Sequence, residues 1–350
     1  MNYLIVIPAL DPKSDLIEYV DTLINYGCSR ILVVDDGSGA ECRPVFDEIE
    51  TREECSILRH SVNLGKGRAI KDAMLYFLKE CEGMNGIITV DSDGQHTVED
   101  VSRIAAAMSD NPESLVLGAR DFNAGNVPPK SKFGNKCTRI VMKLFIGGDI
   151  HDTQTGLRGI PTGLIERFST LSGDRFEYET VMLMDAIQSK ADIKEVPIHT
   201  VYIDNNSETH FKPIVDSLKI YKVILATFIR YTLSSLSSFL VDYGIFCALI
   251  FALGRGGMRQ TTSVWIATAA ARICSSLFNY TINKKIVFKS RRGLSTLAMY
   301  YILCAVQMAC SALAVSLIGM TGFPVQIAKI IVDTVLFMIS YRIQKSIIFR

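Results

Sequence analysis

Four apolar stretches in succession close this chain: FIRYTLSSLSSFLVDYGIFCALIFAL, SVWIATAAARICSSLFNYTI, STLAMYYILCAVQMACSALAVSLI and FPVQIAKIIVDTVLFMISYRI. Each approaches the roughly 20 residues that a helix needs to cross a bilayer, and only short connectors separate them. A single stretch of this kind reads equally well as a buried core helix. Four together favour membrane spans, expected at roughly 228–253, 262–284, 294–318 and 323–345. The 350 residues are 49% hydrophobic, and the excess lies beyond about Ile220.

Basic residues set the expected orientation. Lys284, Lys285, Lys289, Arg291 and Arg292 fill the central connector, and Lys345 and Arg350 follow the last span. The other connectors hold only Arg255 and Arg259. Positive charge marks the cytoplasmic side. Both termini and the first 220 residues are therefore expected to be cytoplasmic on a multi-pass protein of the cell (inner) membrane. The N-terminal LIVIPAL is too short, and lacks the basic start, for a signal peptide. A net charge of +1 gives no global field for a polyanion, so no nucleic-acid partner is expected. The nine cysteines contain no CxxC, and Cys247, Cys274, Cys304 and Cys310 lie in the apolar stretches. They read as reduced small hydrophobes, not as a disulfide or zinc framework.

The first half alternates short β-rich runs with helical patterns: YLIVIPA, DLIEYVDTLINYG, RILVVDDGS, SILRH, KGRAIKDAMLYFLKE, GIITVDSDG, VEDVSRIAAAM and SLVLGAR. That alternation predicts an α/β domain with a mostly parallel, doubly wound sheet. Ligands bind such sheets beyond the carboxyl ends of the strands. Asp35 and Asp36 follow one strand, and Asp91 and Asp93 follow another. Either pair alone is ordinary turn chemistry. Both, on successive strands of the pattern, point to a hard divalent cation bridging acids to substrate phosphates.

VVDDGS, NLGKGRAI and VDSDGQH together resemble an inverting family 2 glycosyltransferase of the Rossmann-like GT-A fold, closest in pattern to the polyprenyl- and dolichol-phosphate sugar transferases. GAR (Gly118–Arg120), DTQTGLRG (Asp152–Gly159), FEYE (Phe176–Glu179) and EVPIHTVY (Glu195–Tyr202) extend the resemblance over nearly the whole first half. It implies a nucleotide-sugar donor, linked to UDP or GDP, and a polyprenyl phosphate acceptor, of which undecaprenyl phosphate fits a bacterial fusion of this kind. On the donor side, Asp36 would contact the nucleotide, Asp35 would support it, and Pro8 and Ala9 would lie beside the base. Asp91, Asp93 and Gln95 would hold Mg²⁺ or Mn²⁺. Lys66 reads either as a donor-positioning residue or as a surface lysine after a turn. Arg120 would receive the lipid phosphate, with Arg139, Asp152, Gln154 and Thr155 lining the acceptor side; the chemistry would fall to Asp93, Arg120 and Arg158. His96 is not expected to bind metal, because hard cations prefer oxygen. The chain departs from the family after the last strand, where NNSETHFKPIVDSLKIY offers only His210, Lys212 or Lys219 as cations.

KSKFGNKCTRIVMKLFI (Lys130 to Ile146) interleaves Lys130, Lys132, Lys136, Arg139 and Lys143 with Phe133, Ile140, Val141, Leu144 and Phe145. This basic amphipathic helix suits a membrane surface; packing on the sheet is the alternative. The expected domains are 1–210, catalytic, 211–226, juxtamembrane, and 227–350, an all-α four-helix transmembrane domain.

That last domain resembles the GtrA-like family through RYTLSSLSSFLVDY, NYTINKKIVF and YRIQKSIIF. It would anchor the enzyme or help translocate its product. NYTINKKIVF (Asn279 to Phe288) and SYRIQKSIIF (Ser340 to Phe349) echo one another, as two hairpins in a parallel repeat would. Asp242, Arg272, Lys329 and Asp333 are costly in lipid and should face one another or water. The repeat offset superposes Arg272 on Asp333, which suggests that these two pair. A homo-oligomer is left open. Among rivals, a processive polysaccharide synthase needs QxxRW, and the single tryptophan, Trp265, lies in a span. A nucleotidyltransferase needs a glycine-rich loop where this chain has PALDP. A catalytically inactive domain that recruits lipid-linked sugar to a transporter would have no use for Asp36, Asp91 and Asp93 together.

Overall fold

The structure, a computed structural model, describes residues 1–122, 129–199, 213–293 and 295–350. It divides into two compact units, Met1–Ile224 and Leu225–Arg350. The first is an α/β unit built on seven strands: β1 (Leu4–Ala9), β2 (Ile31–Asp35), β3 (Cys55–Arg59), β4 (Gly86–Thr89), β5 (Leu115–Arg120), β6 (Arg158–Pro161) and β7 (Ile193–Ile198). Their order across the sheet is β3-β2-β1-β4-β6-β5-β7. Only β6 runs antiparallel to its neighbours, β4 and β5. The other six strands share one direction, so the sheet is mostly parallel, as expected, with β6 as the one reversed strand.

β1 is buried along its whole length because it lies between helices. Its period-two alternation sends Ile5 and Ile7 to one core and Leu4 and Val6 to the other. α1 (Asp15–Asn25), α2 (Arg43–Ile49) and α4 (Val98–Asp110) cover the first face with Leu16, Val20, Phe46, Val101 and Ile104. α3 (Lys66–Glu80), α6 (Thr162–Ser169) and α7 (Glu177–Ser189) cover the second with Ala73, Met74, Phe168, Tyr178 and Met182. α5 (Pro129–Phe145) adds Met142 to that second face. Ile220 and Ile224, from the first turns of α8 (Pro213–Arg255), join it as well. The first unit therefore extends to Ile224, beyond the boundary expected at residue 210. His210 and Lys212, and the end of the EVPIHTVY motif, lie outside the described residues.

In the second unit, the described residues form four long helices: the rest of α8, then α9 (Gln260–Ile282), α10 (Ser295–Gly319) and α11 (Val325–Ile343). Two helical stretches, Val215–Arg255 and Ser295–Gly319, are long and apolar enough to cross a membrane. α9, with Arg272, and α11, with Lys329 and Asp333, fall short of that measure. α9 and α11 each end in a π-helical turn, Asn283–Val287 and Gln344–Ile348. There the amide of Phe288 bonds to the Asn283 carbonyl, and that of Phe349 to the Gln344 carbonyl. The rings of Phe288 and Phe349 stack with centroids 5.4 Å apart. The Asn283 side chain donates to that of Gln344 at 3.1 Å in a buried contact. The two echoing segments thus share one local conformation and meet.

The charges of the second unit's helices do not pair as expected. Asp242 accepts from Ser275 Oγ at 2.8 Å and faces Arg272 at 3.7 Å. Asp333 accepts from Ser311 Oγ at 2.6 Å and faces Lys329 at 3.0 Å. Each acid finds its hydroxyl and its cation within its own hairpin, and Arg272 is not joined to Asp333. Equivalence in a repeat places two residues alike; it does not bring them together. Asp333→Lys should therefore lose folded protein, and adding Lys329→Asp should restore it where Arg272→Asp does not. The readout is the monodisperse yield in detergent. Rescue by Arg272→Asp would revive the cross-hairpin pair.

Candidate active site

Because β1, β2, β4 and β5 run the same way, their carboxyl ends share one edge of the sheet. This edge receives Asp35 and Asp36 from β2, the loop Asp91–His96 from β4, and Arg120 from β5. The antiparallel β6 begins at the same edge, so the preceding segment Asp152–Leu157 arrives there too. A reversed strand between β4 and β5 is what brings the DTQTG motif beside the acids. Gly156 makes that approach possible: a Cβ on it would fall 2.3 Å from the Asp91 carboxylate.

Asp91 is the hub. Its Oδ1 accepts from Lys66 Nζ at 2.6 Å, and its Oδ2 lies 3.3 Å from His96 Nε2. Lys66 Nζ also reaches Glu179 Oε1 at 3.1 Å. Partial burial disfavours charge on Asp91, but Lys66 and then His96 outweigh it and hold the carboxyl well below the usual range. For Lys66, too, burial opposes the charge and is outweighed, here by Asp91 and Glu179, so the ammonium is held on. Asp93 is exposed on one side. The protein mass around it nevertheless penalises its charge, and the Asp91 carboxylate adds repulsion; together they raise its pKa. Its Oδ1 accepts from the Gln95 amide at 3.1 Å, across a turn in which Gly94 has φ +70°.

Asp91, Asp93 and Glu179 are three carboxyl groups gathered around the one ammonium of Lys66, a deficit of positive charge. Hard oxygen donors with that deficit fit a divalent cation. Asp91, Asp93 and Gln95 are the residues that would hold it. A different group, Asp11, Glu41 and Cys42, brings ligand atoms within 4.8 Å of one another. Two of its three members are exposed, and Asp11 already accepts from the Gly39 amide.

The Asp36 side chain is turned inward. It is 4% exposed, and its carboxylate accepts from the Leu64 and Gly65 amides at 3.0 and 2.7 Å, with His60 Nδ1 2.7 Å away. It fixes the turn leading into α3. Asp35 is more open and accepts from the Ser38 amide at 2.8 Å. Pro8 and Ala9 are buried in β1, and the Ala9 carbonyl is taken by the Asp36 amide at 2.9 Å.

On the acceptor side, Arg120 meets Asp152 through two bonds, Nε to Oδ2 at 2.6 Å and Nη2 to Oδ1 at 3.0 Å. Asp152 is fully buried. Gln154, partly open, donates its amide to Asp152 at 3.2 Å, and Thr155 is buried beside it. Arg158 departs from the expected catalytic role. It is 1% exposed and donates to the carbonyls of Thr155 at 2.9 Å and Glu179 at 2.7 Å, so it braces the site from beneath. Arg139 pairs with Asp149 at 2.9 Å on the outside of α5. Glu179 was missed as a site residue: FEYE is visible as a motif, but only the packing of α7 on α3 carries its carboxylate to Lys66.

Residues 4–168 match the model of Glycosyl transferase family 2, and residues 212–349 that of the GtrA/DPMS transmembrane domain. The chain joins a family 2 glycosyltransferase domain to a GtrA/DPMS transmembrane domain, and it is a glycosyltransferase. It is 27% identical over 219 residues to the UDP-N-acetylglucosamine–dolichyl-phosphate N-acetylglucosaminyltransferase of Methanococcus voltae, covering 57% of this chain and 86% of that protein. It is 25% identical over 204 residues to the polyprenol monophosphomannose synthase of Mycolicibacterium smegmatis, covering 56% and 76%. A protein of Methanocaldococcus jannaschii whose name assigns no function is 29% identical over 229 residues, covering 63% and 90%.

Proposed function

We propose that this glycosyltransferase moves a sugar from a UDP- or GDP-linked donor to a polyprenyl phosphate, undecaprenyl phosphate in the first instance, at the cytoplasmic face of the membrane. The observation that carries this reading is the gathering of Asp91, Asp93, Lys66 and Glu179 on the sheet edge that also receives Arg120 and Asp152. The first set suits a diphosphate leaving group and the second a phosphate acceptor. A phosphate oxygen is anionic at neutral pH and attacks the anomeric carbon without a dedicated base. The new bond joins that carbon to the phosphate oxygen as the bond to the nucleoside diphosphate breaks. Attack in line inverts the centre. Lys66 adds a positive charge beside the acids that would face the departing diphosphate, and the Arg120–Asp152 pair holds the acceptor side rigid. A divalent cation held by Asp91, Asp93 and Gln95 would neutralise the leaving group.

α5 supports a membrane-surface role. Asn135, Thr138 and Met142 bury its inner face, while Phe133, Ile140 and Leu144 stay exposed beside Lys132 and Lys136. Changing all three exposed residues to serine should raise the KM for a long-chain polyprenyl phosphate by about tenfold, since apolar area is worth ~25 cal/mol per Å². The KM for a short, water-soluble analogue should not change; an equal rise for both would sink the surface role. In this reading the second unit crosses the membrane four times with both termini cytoplasmic.

The test is transfer from radiolabelled UDP- and GDP-sugars to undecaprenyl phosphate with Mn²⁺, Mg²⁺ or EDTA. Metal-dependent transfer to the lipid supports the reading and identifies the sugar. No transfer from any donor by folded protein would favour a recruiting domain without catalysis.

A further inference from the structure

Lys66 lies between two carboxylates, and the chain is built to keep it there. It is the first residue of α3, within Gly65-Lys66-Gly67. A Cβ on Gly65 would fall 2.3 Å from the Asp174 carbonyl oxygen, and one on Gly67 2.4 Å from Tyr178 Cβ. Both glycines are therefore needed for the start of α3 to press against the turn that opens α7. Two bonds lock that contact: the Arg68 amide to the Asp174 carbonyl at 2.9 Å, and Lys71 Nζ to Asp174 Oδ1 at 2.6 Å. Glu179 follows on the first turn of α7. Its side chain is 9% exposed, and its backbone carbonyl is held by Arg158. Its carboxylate oxygen Oε1 is buried and has no hydrogen-bond partner among the described residues.

We propose that Glu179 is a positioning residue for the transfer reaction: it offers the Lys66 ammonium a second carboxylate, so that Lys66 can give up Asp91 when a divalent cation takes the Asp91 oxygens. Lys66 Nζ is closed on Asp91 at 2.6 Å, and Glu179 Oε1, the buried oxygen with no hydrogen-bond partner among the described residues, lies 3.1 Å from the same ammonium as its second partner. Without the second carboxylate, the ammonium has one strong partner left. Asp91 would then hold a permanent internal counter-ion, and an incoming cation would have to displace it. The proposal rests on the reading that Asp91 and Asp93 hold such a cation.

The experiment is a Mn²⁺ titration of the full-length protein in detergent, followed by electron paramagnetic resonance. Wild type, Asp93→Ala, Glu179→Gln, Lys66→Met and the Lys66→Met/Glu179→Gln double variant are compared. Partners of metal ligands typically change affinity by about tenfold or more when removed. Glu179→Gln is expected to weaken Mn²⁺ binding by about tenfold, and Glu179→Asp to recover part of it. Lys66→Met is expected to bind at least as tightly as wild type, and the double variant to match Lys66→Met. That last equality is the readout a merely structural Glu179 would not produce. Normal binding by Glu179→Gln, or the same loss in the Lys66→Met background, overturns the proposal while leaving the metal reading intact. A wild type that binds no Mn²⁺, or binds it equally well after Asp93→Ala, overturns the metal reading and this proposal with it. A Glu179→Gln protein that does not fold shifts the decision to Glu179→Asp against the double variant, with the same two outcomes.

Discussion

Asp93→Ala is expected to lower glycosyl transfer by about a thousandfold and to leave the protein folded. A cation at a leaving diphosphate contributes several kcal/mol to the transition state, and about 4 kcal/mol corresponds to three decades in rate. Stability should move the other way. Asp93 is held above the usual carboxylate range by the protein around it and by Asp91. Its ionised form is therefore disfavoured in the native state at every pH above that raised value. The alanine variant drops this cost, so in metal-free buffer at neutral pH its melting temperature should equal or exceed that of wild type. Initial rates with saturating Mn²⁺ and melting curves in EDTA test the two halves. Retention of more than a tenth of the transfer rate would remove Asp93 from the chemistry.

Arg120→Ala should have the largest effect on stability of any single change at the site. Asp152 is fully buried and Arg120 is one-fifth exposed, so the two halves of this ion pair are not equivalent. Removing the arginine strands a carboxylate in the interior, at a cost of about 3 kcal/mol or more. Two amides still reach Asp152, those of Arg120 and Gln154 at 3.3 and 3.2 Å, which keeps the loss toward the lower end. Asp152→Asn leaves a cation that water can still reach and should cost less. In a unit of this size 3 kcal/mol lowers the melting temperature by roughly 6–12 °C. Differential scanning of both variants in detergent decides it, and an equal or reversed order would show that the burial asymmetry does not govern the pair.

The parts of the fold that were legible in the sequence are those where a long-range decision left a local trace. β1, β2 and β4 are apolar runs that stop at acids, and their stopping points mark the edge where the site lies. β6 left no such trace. Its four residues, Arg158–Pro161, begin with a charge and end in proline, and only the neighbouring strands make them a strand. Of the adjacent acids, Asp36 is the one the motif assigns to the nucleotide and Asp35 its support, yet the Asp36 side chain turns into the loop that carries Lys66 and Asp35 is the more open. Arg158 reads as a functional arginine in any motif because sequence does not report depth. Glu179 was invisible as a partner of Lys66 for a related reason: the contact depends on two glycines having no side chain, which no pattern of charges records.

The reversed direction of β6 also divides the domain into a face where changes are costly and one where they are cheap. The strand enters at the catalytic edge and leaves at the opposite one, where a Cβ on Gly163, just inside α6, would meet no atom within 4 Å. A fluorophore or affinity handle attached there would sit a full strand length from Asp91. That gives a place to follow folding, insertion into vesicles or conformational exchange by single-molecule methods with the chemistry untouched.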